Sequence, residues 1–165
     1  MILREFRDSD ADYIIGWTGS EREFRMWCAD RYDKYPIAPA DMIENYRACT
    51  ANDDFFPMTA EDDNGVPVGH LILRFTDSRK TAVRFGFVIV DSSCRRQGLG
   101  RKMLELAKDY AKNVLHAKRL SLGVFFENIA AVDCYRSAGF TECGTSEEFP
   151  VFGELWSCIE MERLL

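Results

Sequence analysis

Residues 1–6 alternate between apolar and charged, Met1-Ile2-Leu3-Arg4-Glu5-Phe6. Such alternation predicts a short strand, because successive side chains of a strand point to opposite faces. Asp8-Ser9-Asp10 then supplies capping side chains ahead of a helix carrying Tyr13, Ile14 and Trp17. A second helix over 20–29 brings Phe24, Trp27 and Cys28 to one side. In 39–49 the helical spacing of Met42, Ile43, Tyr46 and Ala48 or Cys49 predicts a third helix, with Pro39 suited to its first turn.

The pattern changes after Asp53. Residues 55–61 and 66–76 read as two strands joined by Asp62-Asp63-Asn64-Gly65, in which Asn-Gly is a tight-turn signal. A second polar turn, Asp77-Ser78-Arg79-Lys80, leads to a third antiparallel strand over 81–90, with Phe85, Phe87 and Ile89 sharing a face. A helix over 99–114 follows, its stripe formed by Leu99, Met103, Leu106 or Ala107, Tyr110 and Val114, and then a strand over 120–125. Asn128 stands at a helix N-cap, Ala131, Tyr135 and Ala138 share a stripe, and Gly139 falls just past the helix end. Two strands, 140–147 and 154–162, around a turn at Pro150 and Gly153, complete the chain.

Composition narrows the class. At 165 residues, 47% of them hydrophobic and 29% charged, the chain has the size and apolar content of a single domain over 1–165. The longest apolar run, about six residues around Phe85, falls far short of the ~18 to 20 needed to cross a bilayer. Arg4, Glu5, Arg7 and Asp8 interrupt the start before a signal-peptide segment forms, so a cytoplasmic protein with no membrane partner is expected. Six cysteines form no C-x-x-C pair and the two histidines, His70 and His116, lie far apart, so reduced thiols and no metal are expected. The net charge of −6 disfavours a nucleic-acid partner.

Against that acidic background, Arg95-Arg96-Gln97-Gly98-Leu99-Gly100-Arg101-Lys102 stands out as locally basic. It follows a strand and opens a helix, so backbone N–H groups and the helix N-terminus can face one anion. Met103 occupies the place of the third glycine of a dinucleotide fingerprint, and no Gly-Lys-Ser/Thr of a P-loop is present. Two readings of the segment alone stand: a phosphate cradle, or a glycine-rich turn with solvated arginines.

Here the chain resembles the GNAT superfamily of N-acetyltransferases, whose hallmark is Arg/Gln-x-x-Gly-x-Gly/Ala between a strand and a helix. Arg95, Gly98 and Gly100 match it, and Asn128 with downstream Tyr135 and Gly139-Phe140 matches the second motif of the family. The resemblance implies an α/β (α+β) acyl-CoA N-acyltransferase fold, with a mixed, mostly antiparallel central sheet of about six or seven strands flanked by helices. It implies acetyl-CoA as co-substrate, its pyrophosphate on the amides from Arg96 to Arg101. Its pantetheine arm would lie along Phe87, Val88, Ile89 and Val90 as an added strand.

The residues implied for acetyl-CoA are therefore these four together with Arg95, Arg96, Gln97, Gly98, Leu99, Gly100, Arg101, Asn128 and Tyr135. Arg95 and Arg96 add charge, and Asn128 either contacts the arm or simply caps its helix. Tyr135 is the implied catalytic residue, hydrogen-bonding the thioester sulfur. Many relatives carry a glutamate directly after the leucine of the strand that precedes the second motif, where this chain has Leu122-Gly123. Glu127, Asp91, His70 and a water relay remain as candidate bases.

Cys94 and Cys134 flank the motifs and raise a covalent acetyl-cysteine route, which the resemblance disfavours. Trp17, Phe24, Trp27, Tyr32 and Tyr35 are divided between core and acceptor-pocket wall. Asp53, Asp54, Glu61, Asp62 and Asp63 either attract a cationic amine or form a solvated turn. The expected function is acetyl transfer to a primary amine of a small molecule or peptide by direct attack. The alternatives are a non-catalytic acetyl-CoA or CoA-binding module and, least favoured, a nucleic-acid binder. Homodimerisation through residues 154–165 is implied by analogy alone.

Overall fold

Seven strands join in one sheet in the order β1-β2-β3-β4-β5-β7-β6. The computed structural model describes the whole chain except Asn52 and the side chains of Ser146 and Glu147. The strands are β1 (Ile2–Glu5), β2 (Phe55–Glu61), β3 (Pro67–Phe75), β4 (Ala82–Val90), β5 (Arg119–Phe125), β6 (Thr141–Val151) and β7 (Glu154–Leu164). The helices are α1 (Ala11–Gly16), α2 (Glu21–Cys28), α3 (Pro39–Thr50), α4 (Leu99–Asn113) and α5 (Ile129–Ser137). Only β4 and β5 pair in parallel, so the sheet is mixed and mostly antiparallel, as expected.

The two faces of the sheet carry separate cores. On one face α4 and α5 pack Met103, Leu104, Ala107, Val132 and Tyr135 against Leu73, Val83, Phe85, Leu120 and Leu122. On the other, α1 to α3 bury Ile14, Phe24, Met42 and Tyr46 against Phe55, Ile72 and Ile89. Met103 approaches so closely that a Cβ at Gly69 would lie 2.7 Å from its sulfur. The stripe of α4 differs from its sequence reading: Met103, Leu104, Ala107 and Ala111 are buried, whereas Val114 is exposed. The buried set keeps helical spacing on one face, and Val114 falls outside it because it stands just past the last helical residue, at the C-cap.

Two terminal signals also resolve differently. Asp10 does not cap α1 but turns back, accepting from the Arg7 amide at 2.8 Å and from Arg4 at 2.7 and 2.9 Å. Burial works against its charge, but the bonds from Arg4, the Arg7 amide and Thr59 outweigh it and hold its carboxyl below the usual range. Pro150 lies inside β6 opposite Leu155, and the turn falls at Phe152-Gly153. Since β6 is an edge strand, a proline there sacrifices no ladder bond on its outer side.

His70 is fully buried on β3, its Nε2 2.7 Å from the Tyr46 hydroxyl, and burial pushes its pKa down to about 3. Below a pH of about 6.5 the unfolded chain therefore binds a proton that the folded chain refuses, costing about 2 kcal/mol of stability at pH 5. His70→Gln is expected to remove about that much of the difference between urea unfolding at pH 7 and at pH 5. An unchanged difference contradicts this account.

Candidate functional site

The sheet opens where the chemistry was expected. β4 and β5 are paired only from Ala82 to Arg84 against Arg119 to Ser121, and beyond this they separate. A cleft of about 890 Å³ occupies the gap and runs through the sheet, from α5 on one face to Met26 and Trp27 of α2 on the other. The free edge of β4 is bent by a register shift between the pairs His70↔Ile89 and Ile72↔Gly86. At this bulge Phe87 has φ 50°, a costly conformation for a residue with a Cβ. Its carbonyl accepts from Trp27 Nε1 at 2.8 Å, which pins the bulge to α2.

The basic loop forms the floor at one end. Arg96 and Gly98 both have positive φ, 61° and 78°, so the chain turns sharply before α4 begins. None of the backbone N–H groups from Arg95 to Arg101 donates to another described group of the protein; the first helical bond runs from Lys102 to Gly98. Consecutive free amides at a helix N-terminus are what a pyrophosphate requires. Gly100 lies against the neighbouring helix, since a Cβ there would come within 3.2 Å of Cys134 Sγ and 3.7 Å of Val90.

Most of the implied residues meet in this cleft: Phe87, Val88, Ile89, Val90, Arg95, Arg96, Gly98, Leu99, Gly100, Arg101, Asn128 and Tyr135 all line it. Gln97 is exposed and lies outside this lining. The Arg95 guanidinium is bound to the Trp17 carbonyl at 3.1 Å and lies 3.6 Å from Glu23, so it ties the loop to the α1–α2 junction. Asn128 caps α5, its Oδ1 accepting from Ala131 at 3.3 Å, and lines the cleft as well, so the two readings of this residue are compatible.

Tyr135 projects from α5 into the same gap, and desolvation by burial, then Cys134, raises its phenol well above the usual tyrosine value. At neutral pH it is therefore a neutral O–H donor. Cys134 also lines the cleft, and burial pushes its thiol up despite nearby Arg101. That direction is opposite to what a nucleophilic cysteine needs.

The candidate bases are not brought to the cleft. His70 is buried and paired with Tyr46 behind the sheet. The Asp91 carboxylate accepts from the Ser93 amide and hydroxyl, each at 2.8 Å. Glu127 is exposed and outside the lining. The place of the missing glutamate is taken by an ion pair: Arg84 and Glu160 of β7 bond at 2.6 and 2.9 Å directly over Gly123. A Cβ at position 123 would lie 2.5 Å from Arg84 Nη2 and 3.1 Å from Glu160 Oε1, so the glycine makes room for the pair.

Of the five aromatics, only Trp27 lines the cleft; Trp17, Phe24 and Tyr32 are buried in the second core and Tyr35 packs on Phe24. The acidic residues scatter: Glu61 pairs with Arg4 at 2.5 Å, Asp63 with the N-terminal amine and Asp54 with Lys80, while Asp62 caps its own turn. They form no collective site for an amine. The sequence reading missed Thr18, Glu23, Met26, Gly86 and Leu122 of the lining. Among the described residues no group of three or more His, Cys, Asp or Glu side chains is arranged to hold a metal ion, and no helix is long and apolar enough to cross a membrane.

Comparison with known proteins agrees with this geometry. The model of the acetyltransferase (GNAT) family matches residues 20–140. A protein of Bacillus subtilis (strain 168) named "Putative phosphinothricin acetyltransferase YwnH" is 26% identical over 157 residues, covering 94% of this chain and 91% of its own. The crystal structure of spermidine N-acetyltransferase from Vibrio cholerae in complex with CoA and spermine superposes with a TM-score of 0.83 at 23% identity. It spans 98% of this chain and 94% of that one. The family model extends over more than half of the chain and includes both the basic loop and Tyr135, and the chain belongs to the GNAT family of acetyltransferases.

Proposed function

We propose that this protein, acting as one domain over residues 1–165, is an acetyl-CoA-dependent N-acetyltransferase that acetylates a primary amine by direct attack in a ternary complex. The observation that carries the reading is the run of unsatisfied amides from Arg95 to Arg101 opening into a cleft that traverses the sheet. The cradle fits a pyrophosphate, and the unpaired edge of β4 beyond Arg84 fits an amide-bearing arm. Acetyl-CoA, when bound, supplies an activated acetyl thioester.

The chain's own groups then divide the work. Amides from Arg96 to Arg101 and the α4 N-terminus hold the diphosphate. Backbone N–H groups near Val88 to Val90 polarise the thioester oxygen as its charge grows. Tyr135 donates to the departing sulfur. A phenol of pKa ~10 lies about 2 kcal/mol uphill of a thiol near ~8.5 for full proton transfer, and the raised phenol of Tyr135 widens that gap. Hydrogen-bond stabilisation is therefore the role of Tyr135. His70, Asp91 and Glu127 lie outside the cleft, and the carboxylates that line it, Glu23 and Asp133, face Arg95 and Arg136 at 3.6 and 3.5 Å, so the amine enters as its free base or loses its proton to water.

Initial rates with both substrates varied are expected to give intersecting patterns, with Cys94→Ser and Cys134→Ser retaining activity. Parallel patterns, or loss of activity in either variant, contradict direct attack.

A further inference from the structure

We infer that Arg31, Arg74 and Arg84 form an anion-recognition cluster at the acceptor end of the cleft, and that the amine acceptor carries an acid group, such as a carboxylate, on the same small molecule. This inference rests on the acetyltransferase reading and names its acceptor class. Three observations carry it.

Arg74 of β3 and Arg84 of β4 are direct cross-strand partners. Their side chains share one face, where like charges directly opposite one another are destabilising. Arg84 is neutralised by its two bonds to Glu160, but Arg74 has no carboxylate partner among the described residues.

The third arginine arrives from the helical region. The Arg31 guanidinium lies 5.7 Å from the centre of the Phe87 ring and is held by Asn45 at 3.2 Å and by Cys49 Sγ at 2.8 Å, neither of which bears a carboxylate. Partial burial, then the charges of Arg84 and Arg31, lowers the pKa of Arg74, so the three guanidinium groups act on one another.

That neighbourhood adjoins the cleft on the side opposite α5. Arg84 sits over Gly123 and Arg31 over Phe87, and both of these residues line the cleft. The basic loop that would take the diphosphate opens α4, on the other face of the sheet. Two guanidinium groups with no carboxylate ion pair among the described residues, Arg31 and Arg74, disfavour a polyamine at the acceptor mouth and pair with an oxyanion, for which the planar guanidinium is well shaped.

The test uses the whole protein saturated with CoA. Binding of glutamate, β-alanine and 2-aminoethylphosphonate is read by calorimetry beside their neutral amide or ester counterparts and spermidine. Thiol release from acetyl-CoA is followed with the same compounds. At least one acid-bearing amine is expected to bind, and to be preferred over its neutral counterpart about tenfold or more. Arg74→Gln is expected to bring that ratio toward one without changing affinity for acetyl-CoA.

Absence of acid-bearing binders, equal treatment of acid and neutral forms, or preference for spermidine overturns the inference. So does an Arg74→Gln variant that alters particle mass while leaving selectivity intact, which would assign the cluster to assembly. Failure of acetyl-CoA itself to bind is a separate result, and it overturns the acetyltransferase reading on which the inference stands.

Discussion

Tyr135→Phe is expected to lower kcat by ~10² or more while leaving the affinity for acetyl-CoA within about twofold, because one transition-state donor is lost and the packing is kept. The ring is part of the core, lying 6.3 Å from Phe140 in an edge contact, and phenylalanine preserves that contact. Only the hydroxyl is removed, from a residue that lines the cleft. Its raised pKa adds a second expectation. No descending limb from phenol ionisation enters the rate profile at or below pH 10, and the rise with pH follows the free-base fraction of the amine. Single-turnover and steady-state rates across pH check both points, and an unchanged kcat returns Tyr135 to a structural role.

Gly100→Glu is expected to weaken acetyl-CoA binding by about 100-fold or more, from a steric and an electrostatic effect that each amount to about 1 to 2 kcal/mol. The new Cβ meets Cys134 and Val90, so the side chain must emerge beside two residues of the cleft wall. Its carboxylate then stands beside the free amides where a diphosphate would lie, reversing the local field. Gly100→Ala separates the two effects. The Cβ is tight against a movable thiol, so alanine is expected to bind acetyl-CoA only a few-fold more weakly. Calorimetry on both variants, with circular dichroism to confirm folding, decides the matter. Equal losses for alanine and glutamate would show that shape alone governs this position.

Local chemistry made much of the fold legible. The β2–β3 hairpin is announced by Asn64-Gly65, where Gly65 takes φ 78°, and the cap of α5 by Asn128. The cradle is readable because its requirements, two glycines and a helix start after a strand, are contiguous in sequence. What could not be read depends on pairing between distant segments. Nothing near Phe87 signals a bulge; the shift arises from how β4 meets β3, and the residue that stabilises it, Trp27, lies 60 positions away.

Gly123 reads in isolation as a missing glutamate. Its meaning appears only when β5 pairs with β7 and places Glu160 and Arg84 over it. The aromatics of the helical region divide between core and cleft according to the direction of each helix, and spacing along the chain does not encode that direction. Arg31, Arg74 and Arg84 escaped notice for the same reason. Each looks like an ordinary solvated arginine until the sheet register and the loop after α2 bring them together.

The central claim is that the amides from Arg95 to Arg101 and the edge of β4 form an acetyl-CoA site. The most direct measurement is a calorimetric titration of the protein with acetyl-CoA and with CoA, using Gly100→Glu as the control. Saturable binding of both at one site per chain, weakened in the control, is the predicted result. Folded protein that binds neither ligand would contradict the account at its centre.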